Sequence, residues 1–128
     1  MNNRKDECLF CQIDENHLVA EDELCYSAKD SFPVTKFHML IIPKRHVANY
    51  FDLKSFEVWA IHEMLVEMKK TIEAKDNSVT GFNIGVNAGK DAGQSIFHVH
   101  VHLIPRRKGD VENPRGGIRR VIPHKQKY

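Results

Sequence analysis

No run of apolar residues in this 128-residue chain approaches the roughly 20 that a membrane-spanning helix needs. The first ten residues, MNNRKDECLF, are polar and charged, which argues against a signal peptide. Charge of one sign is missing as well, since 19 basic residues against 17 acidic ones leave a net of +2. Cysteines number three, an odd count without an export signal, and that argues against a disulfide scaffold. Neither an internal repeat nor a low-complexity segment is present. With 41% hydrophobic residues, the chain has enough for one core and no length for a second domain. The expectation is one soluble cytoplasmic domain spanning residues 1–128.

What is present is unevenly placed. Residues 101–128 hold eight basic side chains and only Asp110 and Glu112, a net of +6 against −4 for the first 100 residues. This basic tail, from about residue 106, reads either as a solvated end or as the neighbour of an anionic ligand. It lacks the interleaved aromatics that nucleic-acid grooves favour, so no specific nucleic-acid partner is expected.

Leu18–Ala20 and Leu24–Ala28 read as short strands around an acidic turn, and the apolar run Phe37–Ile42, stopped by Pro43, reads as a central strand. Ser55 resembles an N-cap. After it Val58, Ile61, Leu65, Met68 and Ile72 recur at helical spacing, predicting one long amphipathic helix over Ser55–Lys75. Strands are expected at Phe82–Val86 and Ser95–Ile104, with a short final one at Ile118–Ile122. One helix, about five strands and no βαβ alternation predict an α+β fold with an antiparallel five-stranded sheet.

The segment His98-Val-His100-Val-His102-Leu-Ile104 alternates strictly. On a strand, Val99, Val101 and Leu103 would point into the core, and the three histidines would share the opposite face about 6.6 Å apart. Imidazoles this close resist being charged together, so at least one stays neutral near pH 7 and available as a nucleophile or ligand. Exposed strand histidines without a role are the plainer alternative. The loop before them carries Gly89 and Gly93, which tolerate positive φ, together with Asn87, Gln94 and Ser95, and its N–H groups suit an anion.

Together these residues resemble the histidine triad family, whose signature of histidines alternating with hydrophobic residues is matched at every position from His98 to Ile104. The likeness extends to the CLFC start, Asp30, HMLIIPKRH and NAGKDAGQS, and the ending HLIPRRKGD is closer to the dinucleoside polyphosphate hydrolase branch than to the phosphoramidase branch. One departure is Phe37, where many members have glycine, so the turn into that strand is expected to differ.

The resemblance implies a nucleotide hydrolase or transferase that cleaves at the α-phosphate through a nucleotidyl-histidine intermediate. It makes His100 the nucleophile and places His102, Gln94 and Ser95 around the phosphate and leaving group, with Asn87 in the phosphate loop. It further implies Asp30 on the ribose hydroxyls, Leu9, Phe10 and Ile13 at a base pocket, and His38 in support of the triad.

Cys8 and Cys11 have zinc-knuckle spacing but only half a ligand set nearby, and two free thiols are the alternative. By the resemblance, His46 of PKRH and His98 complete a closed structural zinc site. The family likeness, together with Trp59 and Met64 outside the main helical stripe, predicts a homodimer. Three other readings stand beside the hydrolase: an adenosine phosphoramidase, a catalytic zinc on His98, His100 and His102, and a nucleotide-sensing binding module.

Overall fold

The computed structural model describes residues 7–128. Five strands form one antiparallel sheet: β1 Leu18–Glu21, β2 Cys25–Lys29, β3 Met39–Pro43, β4 Val79–Gly85 and β5 Val101–Arg107, in the order β1-β2-β3-β5-β4. The helix α1, Ser55–Lys75, lies between β3 and β4 in the chain and covers one face. The expected α+β architecture is therefore the one observed.

Alternation along the strands sorts side chains between two cores. Cys25, Met39, Ile41, Val101 and Leu103 pack against Ile61, Met64, Met68 and Ile72 of α1. On the other face Tyr26, Ala28, Leu40 and Ile42 pack with Cys8 and Phe10 of the segment that precedes β1. Leu40 stands opposite His102 in the β3–β5 pairing, so His102 lies on this second face. One face of the sheet thus supplies stability and the other carries the histidines.

Several expected boundaries shift. The last strand starts at Val101, not Ser95, because the preceding segment bonds to a turn: Val99 N–H donates to Val47 O at 2.8 Å. Val99 is still buried in the core with Val101 and Leu103. Ser55 is the first helical residue, and Lys54 is the N-cap. Met64 belongs to the buried helical face, correcting its assignment to a second one, whereas Trp59 is 63% exposed. Residues 118–122 form no strand. Gly116 takes a left-handed conformation at φ 75° and leads into a 3₁₀ turn, Gly117–Val121.

Phe37 keeps the backbone that glycine would take, with φ at 73°, the only positive φ of a non-glycine residue among those described. The turn into β3 thus places a bulky side chain on a left-handed backbone position. Its half-buried ring packs on the core, with the Lys36 and Lys75 ammonium groups 5.1 and 5.9 Å from its centre.

Candidate active site

The turn after β3 positions the first triad histidine. Pro43 has no N–H, but its carbonyl accepts from His98 Nε2 at 2.7 Å, which leaves His98 Nδ1 as a bare acceptor. Nδ1 lies 3.4 Å from Cys8 Sγ and 3.5 Å from Cys11 Sγ, and His46 Nδ1 is 3.1 Å from Cys11 Sγ. Cys8, Cys11, His46 and His98 place their ligand atoms within 4.8 Å of one another. Zn–S and Zn–N bonds of about 2.3 and 2.1 Å in a tetrahedron separate sulfur from nitrogen by about 3.6 Å, so this spacing fits zinc. The Pro43 carbonyl fixes the tautomer that a metal-bound histidine requires. Burial is the main reason His98 is held below the usual imidazole pKa, with His46 and His100 adding to it and the bond to Pro43 opposing it.

His98 also orients its neighbour. Its backbone carbonyl accepts from His100 Nδ1 at 2.9 Å, placing the proton on Nδ1 and leaving the Nε2 lone pair available. The Phe10 ring lies 5.0 Å from the His100 ring, and the Tyr26 hydroxyl donates to the Phe10 carbonyl and pins that segment to β2. Tyr26 carries no signal in the sequence for this role, since its partner is a backbone oxygen.

A second chain of bonds fixes His102. The Val34 N–H donates to His38 Nδ1 at 2.9 Å, so the His38 proton sits on Nε2. That nitrogen lies 2.9 Å from His102 Nδ1 and 3.3 Å from Asp30 Oδ2. His102 Nδ1 then accepts, and Nε2–H becomes its outward donor. Burial is the main reason both His38 and His102 stay below the usual imidazole range, partly opposed by Asp30. Asp30, His38 and His102 are close enough to hold a metal. However, a metal on His38 Nε2 would leave that ring without a proton while Nδ1 still accepts from Val34, so the trio suits proton sharing. The three triad histidines do not converge on one ion, which removes the basis for a catalytic zinc held by all of them: His98 belongs to the thiol set and His102 to the Asp30 set.

The expected phosphate loop divides into two roles. Gly89 and Gly93 take φ of 99° and 94°. Gln94 is buried and braces the loop, accepting from Gly89 N–H at 2.9 Å and donating to the Ala48 and Ile96 carbonyls at 2.6 and 3.1 Å. Asn87 and Ser95 are exposed. Ile13 is half-buried against the Phe10 cluster, while Leu9 points largely to solvent. Asp30 uses one oxygen to accept from Phe32 N–H at 2.7 Å and turns the other toward the histidines.

An antiparallel five-stranded sheet with one helix and this histidine segment defines a histidine triad domain. The HIT domain family matches residues 12–109, and this chain belongs to that family. A Zn-bound histidine triad family protein from Mycobacterium smegmatis superposes with a TM-score of 0.77 at 31% identity, covering 86% of this chain and 82% of that one. The adenylylsulfatase HINT3 of Arabidopsis thaliana is 34% identical over 110 residues, 83% of this chain and 55% of that protein. The diadenosine triphosphate hydrolase of Plasmodium falciparum, solved with Cyclomarin A, gives a TM-score of 0.68 at 29% identity, covering 79% and 68%.

Proposed function

We propose that this chain is a nucleotide hydrolase or transferase that attacks the α-phosphate through His100, with dinucleoside polyphosphates as substrates. The observation that carries the reading is the His100 Nδ1 bond to the His98 carbonyl, because it selects the tautomer whose Nε2 lone pair faces outward as the nucleophile. That lone pair forms a P–N bond as the bond from phosphorus to the leaving oxygen breaks. The His98 carbonyl stabilises the positive charge that develops on the ring. The outward Nε2–H of His102, together with the Ser95 hydroxyl, supplies the proton that the departing oxygen takes up. Water then attacks phosphorus and gives a proton back to the His102–Ser95 pair, the P–N bond breaks, and a nucleoside monophosphate leaves with the His100 ring and the proton donor both restored.

Around this centre Asp30 serves the ribose, Phe10 and Ile13 the base, and Asn87 and Gln94 the loop that holds the phosphate. Cys8, Cys11, His46 and His98 would hold a structural zinc, which neutralises two thiolates and ties the N-terminal segment to the triad. A cytoplasmic homodimer is part of the same reading, with exposed Trp59 on α1 at the contact. The support is the site geometry together with relatives named as an adenylylsulfatase and a diadenosine triphosphate hydrolase.

A panel of diadenosine polyphosphates, adenosine phosphoramidate and adenylyl sulfate, with product identification, tests the reading. Release of AMP from a dinucleotide is the expected result. Preferential cleavage of the phosphoramidate would move the chain to the alternative branch, and tight nucleotide binding without turnover would make it a binding module.

A further inference from the structure

The C-terminal tail lies beyond the residues matched to the family, 12–109, and it folds on itself. Gln126 Nε2 donates to the Asn113 and Arg115 carbonyls at 2.9 and 3.2 Å, and Arg119 Nε donates to Lys125 O at 3.0 Å. The Tyr128 ring takes the Arg115 and Arg119 guanidiniums at 5.4 and 4.9 Å. Gly116 permits this close packing, since a Cβ there would stand 2.2 Å from the Gln126 carbonyl oxygen.

Folded in this way, the tail roofs a cavity of about 380 Å³ whose lining includes Val34, Thr35, Asn83, Ile104, Arg106 and Arg120. Ile104 shares a sheet face with His102 and is one side-chain spacing along β5, about 6.6 Å. Asn83 stands opposite Ile104 on β4. The cavity therefore lies on the histidine face, one side-chain position beyond His102 along β5. Its two guanidiniums differ in availability. Arg106 is bonded to both Asp110 oxygens and to Asn83. Arg120 makes a single bond, 3.3 Å to Gln126 Oε1, and no ion pair among the described residues.

We propose that this cavity is the subsite for the leaving nucleotide of a dinucleoside polyphosphate, with Arg120 on its phosphates and Val34 and Ile104 against its nucleoside. A planar guanidinium with unused N–H donors matches phosphate oxygens in pairs. The apolar wall beside it gives the nucleoside a surface to cover. The proposal rests on the α-phosphate reading above and names which substrates that reaction prefers.

The test is the ratio of kcat/KM for diadenosine triphosphate to that for adenosine phosphoramidate, whose leaving group carries no phosphate. Arg120→Ala should lower this ratio about tenfold, and Arg120→Lys should recover part of it. Gly116→Ala, which dismantles the roof from a distance, should lower it in the same direction. Wild-type protein that splits both substrates, with a ratio unmoved by Arg120→Ala, overturns the subsite alone. Wild-type protein that splits neither overturns the α-phosphate reading and the subsite with it.

Discussion

His98 serves His100 with its backbone and the thiols with its ring. The carbonyl accepts the His100 proton at 2.9 Å, while Nδ1 of the same residue lies between Cys8 and Cys11. The expected zinc content is about one ion per chain after purification in metal-free buffer. Cys8→Ser should lose that ion and lower the melting temperature by roughly 5–10 °C, since metal binding and folding are coupled. Turnover per folded molecule should fall far less. Undamaged protein without zinc on elemental analysis would show two metal-free thiols instead.

On the proposed mechanism, His100→Ala removes the bond-forming nitrogen and leaves the surrounding loop, Asp30 and Phe10 in place. Turnover should fall on the order of 10⁴-fold or more, with nucleotide affinity nearly unchanged. His102→Ala removes a donor and should cost roughly 10²-fold. Rapid quenching of wild type with α-labelled dinucleotide should trap an acid-labile, base-stable label that His100→Ala lacks. Near-normal turnover in that variant would end the mechanism.

His38 and His102 are both held neutral, chiefly by burial. The unfolded chain takes up protons near the ordinary value of about 6.5, whereas the folded protein resists until lower pH. Their contribution to stability is therefore present above about pH 6.5 and is lost as pH falls through the folded values. Melting temperature should drop between pH 7.5 and pH 5.5, less steeply in a His38→Gln, His102→Gln double variant. A melting temperature that rises on acidification would contradict this.

At Phe37 the backbone and the ring make opposite demands, since φ is 73° while the ring packs on the core. Phe37→Ala keeps the backbone strain and loses the ring, whereas Phe37→Gly loses both. Glycine should therefore be more stable than alanine here by about 1 kcal/mol, the reverse of their usual order. Urea denaturation of the two variants measures the difference directly.

The histidine alternation made the buried side of residues 98–104 legible, because Val99, Val101 and Leu103 are in the core even where the strand is not. Bonds from His98 and Val99 to the carbonyls of Pro43 and Val47 end the ladder early, and backbone acceptors leave no mark in composition. The helix was legible in extent but rotated in face. Its buried side includes Glu57 and Ala60, a charged and a small residue that a hydrophobic stripe passes over. The two cysteines pointed to their partners only through the family likeness, since 35 residues separate Cys11 from His46. The tail's turns depend on Gly116 and on Arg119 and Gln126 side chains that donate to backbone carbonyls, partners that leave no mark in the sequence.

Glu57 is buried at the start of α1, where it accepts from the Lys54 N–H at 2.9 Å and takes two bonds from Arg45 at 2.7 and 3.0 Å. Arg45 sits in the same turn as Pro43, His46 and Val47, the residues that hold or accompany His98. One buried carboxylate thus ties the first turn of the helix to the turn that carries His46, and the thiol–imidazole cluster is fastened to α1 as well as to the sheet.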